Sequence, residues 1–243
     1  MLSLGKWTKY KMMKQSPELA GYLPETAKLD KTEFWRLLRK YGGVIVKPSR
    51  SYGGNGVVQV TVKKDGRLEV RTENRQEIFT GEKHLYRYVQ KITGRNYIVQ
   101  QKIPRITVDK RPCDFRVMVQ RKRNDDWTVT GKLAKVAGHG YIITNIRRSK
   151  GKVLPAEEAL KLSSLANASP EKLLAAMDEL ALKAARHLQH FYPQYRMFGF
   201  DMCVDQQGKV WIIEANVKPA LSLFRQFKDK QMYTLIMRYV KKK

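Results

Sequence analysis

The chain has 243 residues, of which 42% are hydrophobic, so it can bury a core and its composition argues against wholesale disorder. No stretch approaches the roughly 18–20 apolar residues that cross a bilayer, and the N-terminus lacks the apolar run of a signal peptide, so we expect a cytoplasmic protein. The formal net charge of +26 favours an anionic partner, such as nucleic acid, an acidic peptide or another polyanion, although the same charge could serve solubility alone.

Hydrophobic periodicity along the first hundred residues predicts two helices and three strands. In chain order these are a helix at Thr32–Tyr41, strands at Val44–Val46, Val57–Val62 and Leu68–Arg71, and a helix at Glu82–Thr93. A polar loop with three glycines, Ser49–Gly56, separates the first two strands, and Asp65-Gly66 is typical of a hairpin turn before the third.

The rest of the chain reads as strands, then helices, then a hairpin and a last helix. We expect strands at Tyr97–Ile103, Asp114–Arg121 and Trp127–Val136, helices at Ala156–Leu165 and Pro170–Phe191, a hairpin of Phe198–Val204 and Lys209–Ala215, and a helix at Lys230–Val240. Strands and helices do not alternate as in a dinucleotide-binding fold, so the pattern predicts an α+β fold with antiparallel hairpins.

The hairpin that begins at Phe198 carries the most informative polar residues. Glu214 and Asn216 share one face of its returning strand, and the turn between the strands brings Asp201 toward them. Two carboxylates and an amide oxygen are hard ligands of the kind that Mg²⁺ prefers, and burying the acids is costly without a cation. The alternative is an ordinary amphipathic hairpin whose acids face solvent.

Lys47 stands at the end of an apolar strand, directly before the glycine-rich loop. Backbone N–H groups of such a loop can close over phosphates, and the ammonium adds a positive charge. No Lys-Ser/Thr pair follows the last glycine, so the segment is not a P-loop, and a plain connecting loop is the alternative. The two cysteines, Cys113 and Cys203, are far apart, which argues against a zinc site or a disulfide framework.

Five segments, in order and in register, resemble the YheC/YheD-like family of ATP-grasp enzymes over nearly the whole chain. They are GKWTKYKMM…PELAGYLPET, VIVKPSRSYGGNGV, YIVQQKI, RPCDFRVMVQ and the pattern Asp201…Glu214-x-Asn216. The resemblance implies an ATP-grasp fold, in which two α+β lobes with antiparallel sheets grip ATP in the cleft between them. The motifs start almost at Met1, so we expect the N-terminal lobe of many relatives to be truncated, absent or supplied by another protein. Within a single ATP-grasp domain at 1–243, the resemblance places an opening segment at about 1–29, a small lobe at about 30–100 and a C-terminal lobe with the metal site at about 101–243.

The resemblance also implies a role for each matching residue. ATP would be bound through its phosphates and its adenine edge by Lys6, Lys47, Gly53, Gly54, Asn55, Gly56, Gln100, Gln101, Lys102 and Ile103. One or two Mg²⁺ ions, or Mn²⁺ in their place, would be held by Asp201, Glu214 and Asn216. Arg116 would steady the γ-phosphate or an acyl phosphate, and Arg147 would also point at phosphate. We expect Asp114 to be a strand-edge partner of Arg116.

Two departures from the family pattern bear on the reaction. Ser149-Lys150 stands where relatives tend to show glycines, which argues against a close approach of this backbone to a substrate. Gly199 stands where peptide-ligase relatives often carry an arginine that stabilises the tetrahedral intermediate.

Three functions follow as hypotheses. The first is a Mg-ATP-dependent carboxylate–amine ligase of the peptide type, which forms a C–N bond through an acyl phosphate on an acidic peptide or polymer; the resemblance then implies the cytoplasm or the spore coat. The second is an ATP-grasp kinase of a polyanionic small molecule. The third is a noncatalytic spore-associated or nucleic-acid-binding protein with a vestigial ATP site.

Overall fold

The computed structural model describes residues 3–51, 53–123, 125–165 and 168–241. The loop residue Tyr52 and the two ends of the predicted 1–243 domain lie outside that description. Within it, the strands are β1 (Thr26–Lys28), β2 (Gly43–Pro48), β3 (Val58–Val62), β4 (Leu68–Thr72), β5 (Arg75–Phe79), β6 (Tyr97–Gln101), β7 (Thr107–Val108), β8 (Arg111–Gln120), β9 (Thr128–Val136), β10 (Lys152–Pro155), β11 (Met197–Val204) and β12 (Val210–Asn216). The α-helices are α1 (Lys6–Lys14), α2 (Pro17–Ala20), α3 (Lys31–Tyr41), α4 (Glu82–Ile92), α5 (Ile146–Ser149), α6 (Ala156–Lys161), α7 (Pro170–Leu188) and α8 (Gln231–Lys241).

The first sheet has the strand order β1-β6-β2-β3-β4-β5, and each neighbouring pair is antiparallel. Helices α3 and α4 cover one face, where Leu37 and Leu85 pack against Val44 and Val46 of β2. Because side chains alternate along a strand, residues of β2 and β6 between the core positions point to the opposite, helix-free face.

The second sheet has the strand order β10-β9-β8-β11-β12, again antiparallel, with β7 paired to β8. Helices α1, α2, α6 and α7 pack on one face around Phe115, Phe198 and Phe200. Helix α8 covers part of the other face, where Ile236 packs against Met118 and Leu133. The uncovered remainder of that face carries the polar side chains of β8, β9, β11 and β12.

The α+β prediction is confirmed, and the predicted helices and strands all occur with shifted ends. The helix expected to reach Leu165 ends at Lys161, and the one expected to reach Phe191 ends at Leu188. Helices α1, α2 and α5 and strands β1, β5, β7 and β10 were not predicted. Three of these strands have four residues or fewer, and β5 is an exposed edge strand without hydrophobic alternation, so a sequence pattern could not reveal them.

The opening segment divides between the two sheets. Helices α1 and α2 join the core of the second sheet through Met13 and Leu19, whereas β1 adds a strand to the edge of the first sheet. This arrangement places α1 beside β12, where the candidate metal ligands lie. None of the described helices is both long and apolar enough to cross a membrane.

Candidate functional site

The helix-free faces of the two sheets meet across a cleft of about 710 Å³. All but one of the residues predicted for the site line it, namely Lys6, Lys47, Gly53, Gly54, Asn55, Gln100, Gln101, Lys102, Ile103, Arg116, Arg147, Asp201, Glu214 and Asn216. The exception is Gly56, which lies against Pro48 and Tyr97; a Cβ atom there would stand 2.6 Å from the hydroxyl of Tyr97. Residues as far apart in sequence as Lys6 and Asn216 thus converge on one concave surface.

Lys47 enters the cleft from β2 because Val44 and Val46 of the same strand face the helices. The residue is 6% exposed, and its Nζ donates to Oε1 of Gln100 at 2.7 Å. Gln100 in turn donates to the hydroxyl of Thr26 at 2.9 Å, which fixes the amide. Burial lowers the pKa of Lys47 to about 8, against the charge of Glu214, which raises it. An anion in the cleft would favour the charged form of this lysine.

Lys6 joins the glycine-rich loop to the carboxylate hairpin. Its backbone N–H donates to the carbonyl of Ser49 at 2.8 Å, and its Nζ donates to the carbonyl of Ser51 at 2.6 Å. The same Nζ lies 3.5 Å from Oε1 of Glu214. Lys6 therefore contacts both the loop predicted to cover phosphates and a predicted metal ligand.

A β-bulge sets the direction of the hairpin side chains. The pairing of β11 with β12 shifts by one residue after Asp201, which leaves Ile213 as the extra residue. Beyond the bulge, Ala215 faces the core, and Glu214 and Asn216 face the cleft. The predicted approach of the three polar residues is confirmed, since Asp201 pairs with Glu214 in register and accepts a hydrogen bond from Asn216 at 3.3 Å.

Asp201 is the centre of a buried charge cluster. Arg116 donates to both of its oxygens, from Nε and Nη2, at 2.9 Å each, and Lys135 donates to Oδ1 at 2.6 Å. Burial alone would raise the pKa of Asp201, but the charges of Arg116 and Lys135 outweigh it and hold that pKa far below its usual value. Two side-chain cations thus neutralise an acid for which the sequence suggested a metal ion.

The expected pairing of Asp114 with Arg116 is wrong. Oδ1 of Asp114 accepts from Arg105 at 2.5 Å, and Oδ2 accepts from the hydroxyl of Thr144 at 2.6 Å. Arg116 lies directly opposite Asp201 in the register of β8 with β11. Residues opposite each other on neighbouring strands are closer than residues two apart along one strand, so the cross-strand acid captures the guanidinium.

The segment after β6 has two backbone groups that are engaged within the chain. The N–H of Gln101 donates to the carbonyl of Glu25 at 2.8 Å, and the carbonyl of Ile103 accepts from the N–H of Arg105 at 2.8 Å. The predicted adenine contacts of Gln101 and Ile103 would therefore have to use the carbonyl of Gln101 and the N–H of Ile103.

Two loops bridge the sheets at the side of the cleft. Gly54 has a φ of +76°, and a Cβ atom there would lie 3.2 Å from Cδ1 of Ile143 on the loop before α5. The turn between β4 and β5 makes a second bridge, in which the carbonyl of Glu73 accepts from the N–H of Ile142 at 3.0 Å. The carboxylate of Glu73 also pairs with Arg148.

The two departures from the family pattern have structural counterparts. A Cβ atom at Gly199 would lie 2.5 Å from Cβ of Pro219 and 3.3 Å from Cδ of Arg116, so no arginine fits there. Lys150 has a φ of +52°, a left-handed conformation that glycine adopts without strain. The backbone shape associated with glycine is therefore kept at Lys150, although the residue is not glycine.

The cleft carries eight basic and three acidic side chains. The basic ones are Lys6, Lys47, Lys102, Arg105, Arg116, Lys135, Arg147 and Lys218, and the acidic ones are Asp114, Asp201 and Glu214. Sequence reasoning missed Arg105, Lys135 and Lys218, because single basic residues give no signal in a chain with 48 of them. In the described part of the chain, no group of three or more His, Cys, Asp or Glu side chains could hold a metal ion, so an amide would have to complete the donor set here.

Comparison with known proteins identifies relatives of this architecture. The family described as YheC/D like ATP-grasp matches residues 2–242. The chain is 29% identical over 226 residues to the endospore coat-associated protein YheD of Bacillus subtilis, covering 90% of this chain and 49% of YheD. It is 24% identical over 222 residues to the endospore coat-associated protein YheC of the same organism, covering 88% of this chain and 59% of YheC. The chain thus spans about half the length of the curated relatives it matches.

A similar fold occurs in the crystal structure of N5-carboxyaminoimidazole ribonucleotide synthetase from Thermotoga maritima. The TM-score is 0.51 at 14% sequence identity, over 98% of this chain and 49% of that one. At this level of identity the likeness concerns the fold alone.

Proposed function

Because the chain belongs to the YheC/YheD-like ATP-grasp family, we propose that it is a Mg-ATP-dependent carboxylate–amine ligase that forms an acyl phosphate on an acidic peptide or polymer. The ATP-grasp superfamily includes ATP-dependent carboxylate–amine ligases. The observation that carries the proposal is the arrangement of one cleft. Lys6 of helix α1 and Lys47 of strand β2 approach Glu214 there, and β11 and β12 bring Asp201 and Asn216 beside Glu214.

The first sheet supplies the nucleotide contacts in this proposal. The carbonyl of Gln101 accepts from the amino group of adenine, and the N–H of Ile103 donates to a ring nitrogen. Lys47, held by Gln100, and Lys6, held by the loop carbonyl of Ser51, point their ammonium groups at the phosphates. These lysines are held before nucleotide arrives, so little side-chain ordering remains to oppose binding.

The oxygen donors at the hairpin fit a magnesium ion, but Asp201 is not free to bind it as the side chains stand. Glu214 and the amide oxygen of Asn216 line the cleft as hard oxygen donors. Asp201 already accepts four hydrogen bonds, two from Arg116 and one each from Lys135 and Asn216, which fills the lone-pair sites of a carboxylate. Asp201 can join the ligands only if Lys135 or Asn216 releases it. A Mg²⁺ or Mn²⁺ ion held by Glu214 and Asn216 would offset the negative charge that develops on the transferred phosphoryl group.

The proposed reaction needs no side-chain nucleophile. An oxygen of the substrate carboxylate attacks the γ-phosphorus, the bond to ADP breaks, and an acyl phosphate forms. An amine nitrogen then attacks the acyl carbon, phosphate leaves, and the nitrogen loses a proton to give the amide. The chain's residues bind, align and shield these groups, and the N–H groups of Arg116 that Asp201 does not use, together with Arg147, face the transferred phosphoryl group.

The charge of the cleft supports an acidic substrate. Beyond the paired residues, Arg147 and Lys218 line the cleft and are exposed. The net charge of +26 would raise the local concentration of a polyanion around the whole chain. Because YheC and YheD are endospore coat-associated proteins, we further propose that this chain, too, associates with the spore coat.

A kinase of a polyanionic small molecule is the second candidate function, and Gly199 favours it. Pro219 occupies the space of an arginine side chain at that position, so the group that would stabilise a tetrahedral intermediate in amide formation has no place there. Phosphoryl transfer has no such intermediate and would use the same lysines and metal ligands.

Two experiments test the proposal. Calorimetric titration of Mg-ATP at physiological salt should give saturable binding that weakens in Glu214→Gln and is unchanged in the control Glu179→Gln, whose carboxylate pairs with Lys183 on the surface of α7. Equal binding by wild type and Glu214→Gln contradicts the metal assignment. Incubation with ATP, an oligoglutamate peptide and hydroxylamine should then yield ADP and a hydroxamate. Transfer of phosphate to inositol hexakisphosphate, with no hydroxamate, would establish the kinase instead.

A further inference from the structure

Helix α1 buries a lysine that no sequence motif identifies. Lys9 is 4% exposed, whereas Lys11 and Lys14 of the same helix are exposed. Among the residues that the structure describes, the side chain of Lys9 takes part in no hydrogen bond or ion pair. Burying a lysine side chain costs free energy unless its charge is compensated, so its position calls for a physical reason.

Lys9 lies directly behind the phosphate end of the cleft. It lines a cavity of about 10 Å³ together with Lys6, Lys47, Gln100 and Glu214. These four neighbours also line the main cleft, so the small cavity and the cleft are the two sides of one layer of side chains. The cavity is about the smallest that holds one water molecule.

The cluster around Glu214 contains more positive than negative charge. Burial lowers the pKa of Lys9, Glu214 raises it and Lys6 lowers it, so the carboxylate is the main group that favours the ammonium. Asp201 also favours it, but that acid is already neutralised by Arg116 and Lys135. Three lysines therefore share one carboxylate, and the arrangement lacks an anion.

We propose that Lys9 is a positioning residue of the nucleotide site, whose charge acts on Glu214 across the small cavity behind the cleft and completes, with Lys6 and Lys47, a positive field that receives the triphosphate. This inference rests on the proposed function, because it takes ATP as the missing anion. It also predicts that ATP binds in the absence of divalent metal ions, and that the contribution of Lys9 to the affinity for ATP is largest under that condition. Free ATP carries more negative charge than Mg-ATP, so it is attracted more strongly by each lysine.

The experiment measures ATP binding by calorimetry in EDTA and again with Mg²⁺, at physiological salt, for wild type, Lys9→Met, Lys9→Arg and the control Lys11→Met. Lys9→Met should weaken ATP binding in EDTA by about tenfold and Mg-ATP binding by less. Its melting temperature should equal or exceed that of wild type, since a desolvated ammonium has been removed from a cluster in which three lysines share one carboxylate. Lys9→Arg should keep most of the affinity, and Lys11→Met should bind as wild type does.

The outcomes separate this inference from the proposed function. Equal ATP affinities for wild type and Lys9→Met, with and without metal, overturn the inference alone. Absence of saturable ATP binding by wild type overturns the proposed function and the inference with it. If Lys9→Met does not unfold cooperatively, Lys9→Gln is compared with Lys9→Arg, and equal ATP affinities of those two overturn the inference.

Discussion

Replacing Asp201 with asparagine should destabilise the chain before any ligand is added. The carboxylate accepts from Arg116 at both oxygens and from Lys135 at one, and the three side chains are 17%, 11% and 9% exposed. An asparagine keeps the volume but offers one acceptor oxygen, and its NH₂ group would face donors of Arg116 or Lys135. Two buried cations would then have no counterion.

The expected loss is about 3–5 kcal/mol in the free energy of unfolding, the usual result of removing one partner from a buried ion pair. Since the pKa of Asp201 is lowered in the folded state, the stabilisation is fully present above the unfolded pKa of about 3.9 and is lost only as the pH falls toward the lowered value. The effect should therefore be complete and constant at pH 6–8.

Urea denaturation at pH 7 measures the change, with the midpoint shifting at an unchanged m value. The matched control is Asp178→Asn, which removes the same charge from the pair with Lys132, where Asp178 is 31% exposed; we expect a change within about 1 kcal/mol. In the double variant with Lys135→Met, part of the loss should return, because one uncompensated cation is gone. A loss below about 1 kcal/mol for Asp201→Asn would refute the view that this acid is the structural counterion of the cluster.

Three further predictions concern the cleft and its loops. The pKa of Lys47 is about 8, below the unfolded value of about 10.4, so ATP binding near pH 8.5 should be accompanied by uptake of a proton, and the affinity for ATP should fall as the pH rises further. Titrations in buffers of different ionisation enthalpy measure the uptake, and Lys47→Met should show none. Glu73→Gln should speed ADP dissociation in stopped flow by about two- to fivefold, as expected for an exposed ion pair of about 0.5–1 kcal/mol, with Glu179→Gln as the unaffected control. Lys150→Gly should raise the free energy of unfolding by about 0.5–1 kcal/mol by removing left-handed strain, whereas Lys150→Ala, which removes only the charge, should not.

The sequence identified the site better than the contacts within it. Ordered motifs located Lys47, Asp201 and Glu214, and the period of two predicted that Glu214 and Asn216 share a face. The partner of Arg116 could not be read in the same way, because an acid two residues away in sequence looks closer than one 85 residues away. Only the strand order and the register of β8 with β11 decide between them, and neither is a local property.

The sequence also does not reveal which lysines are buried. Lys9 belongs to a helix with a basic residue in almost every turn and little hydrophobic patterning, so nothing in its neighbourhood indicates which lysine faces inward. Lys135 stands in a strand whose alternation predicts a face but not the acid it will meet. Burial of Lys9 follows from the packing of α1 against β12, and burial of Lys135 follows from the strand order that places β9 and β11 on either side of β8. Both are tertiary properties.

The charge of the cleft and the charge of the surface act over different ranges. Surface charges are screened within about 8 Å at physiological salt, so recruitment of a polyanion by the whole chain weakens steeply as salt is added. The inner cations are buried and mostly paired, as in the groups Arg116–Asp201–Lys135 and Arg105–Asp114, and they are screened much less. The pair Arg105–Asp114 cancels within the cleft, whereas Arg116–Asp201–Lys135 keeps one positive charge and the three lysines around Glu214 keep two. This buried excess lies where the triphosphate is proposed to bind, and we expect its placement, rather than the net charge of +26, to favour a nucleotide over other anions.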